Sequence, residues 1–175
     1  VDRLVLVSAA GLSTGELPRT PLLAAARLVA AGMPLASRIE APVVHRPRLR
    51  RALMQWVVRY PEKLSVPLAQ ELVLSFGKPG FVDGLRAIFD YAYRERLPEI
   101  EIPVLIVWGQ DDLLVPVGDA FRYARLIGPN ARVEVFDDTG HAPMLERPSR
   151  FNELLRGFLA GEAAPEAGVA GVTSP

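Results

Sequence analysis

Pro103-Val104-Leu105-Ile106-Val107-Trp108-Gly109-Gln110-Asp111-Asp112-Leu113-Leu114-Val115-Pro116 is the stretch that decides how this chain folds. From Pro103 to Trp108 the run is apolar and rich in β-branched residues, and Gly109 stops it. Such a run suits a parallel strand covered on both faces. A polar turn with two aspartates follows at the strand's carboxyl end. In an open parallel sheet, ligands and chemistry gather at that edge.

Downstream, Val117 to Ile127 places Ala120, Phe121, Ala124 and Ile127 on one helical stripe, and Gly128-Pro129 stops it. Arg132-Val133-Glu134-Val135-Phe136 alternates, as a strand nearer a sheet edge does. The loop Thr139-Gly140-His141-Ala142-Pro143 leaves that strand. From Ser149 to Ala160, Phe151, Leu154, Leu155, Phe158 and Leu159 recur at helical spacing before Gly161. Strand, helix, strand, helix in short succession predicts parallel βα units with right-handed crossovers. The fold class is therefore α/β, a parallel sheet with flanking helices.

Upstream, Leu4-Val5-Leu6-Val7-Ser8 reads as another buried strand, ended by Gly11. Roughly Gly11 to Ile100 then separates two strands, where a parallel crossover needs only about a dozen residues. The excess predicts a helical cap over about residues 12–97, cut into short helices by prolines at 34, 42, 47, 61, 67, 79 and 98. Leu49 to Tyr60 and Phe81 to Tyr93 are its better helices. Residues 162–175 are rich in Ala, Gly and Pro without periodicity and read as a disordered tail.

Composition narrows the function. The chain has 175 residues, 50% of them hydrophobic, enough for one domain with a real core. Its formal net charge is zero, which speaks against nucleic acid as a partner, since phosphate binding rests on a basic excess. No cysteine is present, so thiolate chemistry, disulfides and Cys-based metal sites are out. The apolar runs are too short to span a bilayer. Neither a metal nor another cofactor is expected, because the two histidines lack ligand spacing and no glycine-rich phosphate loop occurs. The chain opens on Val1, directly into a strand. The true N-terminus is expected upstream, and a cytoplasmic location is the expectation without a visible signal.

His141 and an aspartate of the Asp111-Asp112 turn are the candidate catalytic residues. Both follow neighbouring strands at the carboxyl edge, so the sheet brings a carboxylate to an imidazole 29 positions away. A buried carboxylate that accepts from one ring nitrogen fixes the tautomer and stabilises the imidazolium. The other nitrogen can then take a proton. Gly140 is read as giving the backbone a tight turn beside His141.

Strand, Gly-x-x-Asp-x-x-x-Pro, helix, strand, Gly-His and a final amphipathic helix together resemble the α/β-hydrolase family. Val1 to Ser8 resembles the strand after its nucleophile helix, and Leu97 to Gly109 the approach to its penultimate strand. The resemblance covers residues 1 to 11 and about 81 to 160 well. It implies Asp112, three residues after Gly109, as the triad acid and His141 as the base. The family order is nucleophile, acid, histidine. The Gly-x-Ser-x-Gly nucleophile elbow and the oxyanion loop are absent from the sequence, so the N-terminal half of the fold is expected upstream, and the chain alone is expected to be inactive and poorly soluble.

Plainer readings stand beside these. Asp112 could cap a helix or serve a turn. Asp111, Asp137 and Asp138 read as solvated turn residues. His45 reads as surface, and Arg46, Arg48, Arg50 and Arg51 as a solvated cap face. Met33, Trp56, Phe76 and Phe81 are candidates for lining a pocket or simply packing. The resemblance implies serine-type hydrolysis of an ester-like bond in a small apolar substrate. The alternatives are an epoxide hydrolase, a dehalogenase or a carbon–carbon hydrolase on the same frame, a non-catalytic ligand-binding protein or pseudoenzyme, and a truncated reading frame without activity.

Overall fold

The computed structural model describes residues 1–13, 44–75, 78, 80–90 and 93–161. The expected tail, much of the expected cap, and Met33 and Phe76 lie outside these residues.

Three strands form one parallel sheet in the order β1 (Leu4–Val7), β2 (Val104–Gly109), β3 (Ala131–Phe136). Leu4 pairs with Val104, and Val104 with Ala131. All six residues of β2 are buried, whereas those of β1 are partly buried. β1 pairs with β2 alone among the described residues. Its apolar run therefore has the sequence of a central strand in an edge position.

Alternation along β2 explains the layers. Val104, Ile106 and Trp108 face one side, against Ala120, Tyr123 and Ile127. Leu105 and Val107 face the other, with Phe136, Phe151, Leu154 and Phe158. Each fully buried aliphatic side chain of this kind contributes about 1.5–3 kcal/mol. The first helix is Gly118–Ile127 and the second is Pro148–Ala160, one on each face.

Two sequence expectations shift here. Phe121 is 51% exposed, and Tyr123 is buried in its stead. The stripe 120, 123, 124, 127 keeps the i, i+3, i+4, i+7 spacing, and 121 falls off it. Leu159 is likewise exposed at the end of its helix.

Between β1 and β2 the described chain is helical: Pro47–Met54, a 3-10 turn at Pro61–Lys63, Val66–Ser75, Phe81–Asp90 and a 3-10 stretch at Arg94–Glu99. The α-helices are thus, in chain order, α1 (Pro47–Met54), α2 (Val66–Ser75), α3 (Phe81–Asp90), α4 (Gly118–Ile127), α5 (Pro143–Glu146) and α6 (Pro148–Ala160). Prolines mostly start these elements: Pro47 and Pro61 stand at first-turn positions, where the missing N–H costs nothing. The helix expected over Leu49 to Tyr60 ends at Met54, where the Val57 and Val58 amides both donate to the Met54 carbonyl. Val44, Met54, Val58 and Ala69 form a small core of this insertion, and Ala142 from the loop after β3 joins it. Arg50 is a correction to the solvated-face reading. It is buried, and its Nη1 donates to the carbonyl oxygens of Pro61 and Leu64. His45, Arg46, Arg48 and Arg51 are exposed, as is Trp56. Phe81 is partly buried.

Candidate active site

β2 and β3 end side by side, and their loops meet over Gly109. A Cβ on Gly109 would lie 1.9 Å from the Gly140 carbonyl oxygen and 2.4 Å from that of Thr139. Only glycine allows the two loops to approach this closely. The Gln110 amide donates to the Phe136 carbonyl and the Asp111 amide to the Thr139 carbonyl, which ties the loops together.

Asp112 sits in the first loop with its side chain fully buried. Its Oδ1 accepts from the Leu114 amide at 2.8 Å and the Val115 amide at 2.9 Å. This is the self-contained turn that aspartate favours. Trp108 Nε1 donates to the Val115 carbonyl and fastens the turn to the strand. Asp112 Oδ2 lies 2.8 Å from His141 Nδ1. A carboxylate has no proton to give, so Nδ1 carries the hydrogen and Nε2 is left as the acceptor. The His141 side chain keeps 27% of its surface exposed. A buried anchor thus holds an imidazole that is open to a reacting group.

The other acidic candidates go elsewhere. Asp111 pairs with Arg59 Nη1 at 2.9 Å. Asp137 is exposed and pairs with Arg150, which draws its pKa below the usual carboxylate value. Asp138 is more than a solvated turn residue. It holds a left-handed backbone, φ 51°, and accepts from Tyr60, Arg59 and Arg147. These bonds, led by the Tyr60 hydroxyl, lower its pKa.

Two participants have no signal in the sequence. Glu146 Oε1 accepts from the Gly140 amide and Oε2 from the Arg59 amide, both at 2.8 Å. Burial pushes the Glu146 carboxyl up, while the amides of Arg59, Gly140 and Ala142 pull it back. Arg59 in turn reaches Asp111 and Asp138 with its guanidinium. The need for glycine at Gly140 comes from close approach and not from a left-handed φ. Glycine is needed because a Cβ would stand 2.8 Å from the Arg59 amide nitrogen and 3.2 Å from the Val58 carbonyl carbon. Among the described residues no cluster of three or more His, Asp or Glu side chains offers a metal site, and no helix is long and apolar enough to cross a membrane.

A parallel sheet with helices on both faces, and an aspartate and a histidine paired at its carboxyl edge, defines a class of protein. The profile of the alpha/beta hydrolase family matches residues 1–154, and this chain belongs to that family. Over 72 residues it is 38% identical to a proline iminopeptidase of Lactobacillus delbrueckii subsp. lactis, a match to 41% of this chain and 24% of that protein. Over 67 residues it is 42% identical to a 2-hydroxy-6-oxononadienedioate/2-hydroxy-6-oxononatrienedioate hydrolase of Paraburkholderia phymatum, covering 38% of this chain and 23% of that protein. The matched stretch thus spans about a quarter of each of these relatives. A thermophilic esterase from Thermogutta terrifontis shares the fold with a TM-score of 0.64 at 20% identity, over 91% of this chain and 56% of the esterase.

Proposed function

We propose that Asp112 and His141 are the acid and the general base of a hydrolase whose nucleophile, a serine, is supplied by sequence upstream of Val1. The observation that carries this reading is the 2.8 Å contact from His141 Nδ1 to the buried Asp112 carboxylate. In this arrangement Nε2 takes the proton of the serine hydroxyl as its oxygen attacks an ester-like carbonyl. The imidazolium then returns that proton to the leaving group, and Asp112 stabilises the positive charge without being protonated. Water repeats the sequence on the acyl-enzyme. The helices between β1 and β2 act as a cap that shapes the pocket for a small apolar substrate.

A second reading is hydrolysis of a carbon–carbon bond in a diketone-like substrate. It is favoured by the 42% identity to the Paraburkholderia phymatum hydrolase. The same aspartate and histidine would serve it.

The test is hydrolysis of p-nitrophenyl esters and of vinylogous diketones by the full-length protein. His141→Ala is expected to lower the rate by about 10⁴-fold or more. Activity that survives His141→Ala would overturn the assignment, and the preferred substrate separates the two readings.

A further inference from the structure

The two residues flanking His141 both touch the helical insertion. Gly140 lies so close to the Val58–Arg59 peptide that no Cβ fits between them. Ala142 is buried with Val44, Met54, Val58 and Ala69. Glu146 stands behind the loop and joins the two sides, one carboxylate oxygen on the Gly140 amide and the other on the Arg59 amide. Arg59 and Tyr60 add bonds to Asp138, and Arg59 reaches Asp111 next to Asp112. Neither the Gly140 amide nor the Arg59 amide is used by a helix or a strand, so the carboxylate satisfies two partly buried donors at once.

We propose that Glu146 is a positioning residue for His141, clamping the loop after β3 to the Val58–Tyr60 segment of the insertion, so that order in the insertion sets where the imidazole stands. The inference rests on the general-base reading of His141. Asp112 fixes the ring from one nitrogen, and the Asp111 amide ties the loop to the turn after β2 at Thr139. The clamp adds the tie on the other side, where Gly140 meets the insertion. A base must reach its nucleophile at hydrogen-bond distance, and a displacement of about 1 Å at such a contact can cost 10²-fold in rate. The insertion is thereby more than a cover for substrate. Anything that loosens its Met54–Val58 core also loosens His141.

Glu146→Gln tests this in the full-length protein. The amide keeps the shape of the side chain but turns an NH₂ toward one of the two backbone donors. The expected result is a fall in kcat of about ten- to a hundredfold with KM within about twofold. The His141 Nδ1 proton resonance is expected to broaden, and the Gly140 and Arg59 amides to lose hydrogen-exchange protection together. Met54→Ala, which loosens the apolar side of the same clamp, should give the same pattern more weakly. A purely structural role would lower the melting temperature while leaving kcat per folded molecule and the His141 resonance unchanged, and that outcome overturns the proposal. Failure of the underlying reading is distinguishable: His141→Ala would then retain activity, while the resonance and exchange readouts would still report whether Glu146 holds the loop.

Discussion

The turn after β2 closes on itself, whereas the loop after β3 is closed by other parts of the chain. Asp112 accepts from amides two and three residues ahead, and Trp108 bonds the carbonyl of Val115 seven residues on. These bonds around Asp112 all lie within one short stretch, while Gln110 and Asp111 beside it reach out, to β3, the loop after it and Arg59. Gly140, by contrast, depends on Glu146, and Glu146 also holds Arg59, 87 positions away. Asp138 takes its partners from Arg59 and Tyr60, nearly 80 positions away, as well as from Arg147. The carboxylate is organised locally and the imidazole by tertiary contacts. The two loops should therefore fail differently when disturbed.

Asp112→Asn probes the local turn and has the largest expected effect. The new carbonyl oxygen can still accept from Leu114 and Val115, so the turn survives. The new NH₂ faces His141 Nδ1 and forces the hydrogen onto Nε2. Ester hydrolysis by the full-length protein should drop on the order of 10⁴-fold with little loss of melting temperature. A large stability loss alongside would break the distinction between turn and charge.

Gly140→Ala probes the other loop. Its Cβ meets backbone atoms of Val58 and Arg59, which cannot swing away as a side chain can. Destabilisation of about 1–3 kcal/mol is expected in denaturant unfolding, with a loss of activity beyond the unfolded fraction. If the variant unfolds like the parent, the loop is not held against the insertion.

Asp111→Asn has the smallest expected effect. Its carboxylate and the Arg59 guanidinium are each about a third exposed. Water and salt screen such a pair. Hydrolysis should stay within about threefold, and the melting temperature within about 2 °C. A loss as deep as that of Asp112→Asn would mean that the neighbouring aspartate is the one that matters.

The parts of the molecule that obey a short-range rule were legible in advance. Val104 to Trp108 is apolar at every position and proves buried at every position. Pro148–Ala160 follows its helical stripe as far as Phe158 and stops at Gly161, which takes a left-handed φ of 80°. Asp112 and His141 could be paired on paper because a parallel sheet sends both strand ends to one edge. The failures were equally physical. Phe121 is large and apolar and reads as a core residue, but the helix turns Tyr123 inward. The hydroxyls of Tyr123 and Tyr93 share the Ala10 carbonyl, so the polar end of the buried ring is satisfied. Arg50 reads as solvated because arginine usually is, yet two backbone carbonyls receive it inside the insertion.

The sequence by itself determined the parallel sheet, the helices on its two faces and the pair of residues at its edge. Hydrophobic periodicity and strand direction act over a few residues and can be read from them. Only the tertiary structure decided that Glu146 bridges the Gly140 and Arg59 amides and that Ala142 packs into the insertion's core. Those facts depend on which surfaces meet after the chain has folded back across more than 80 residues, and no local pattern encodes that meeting.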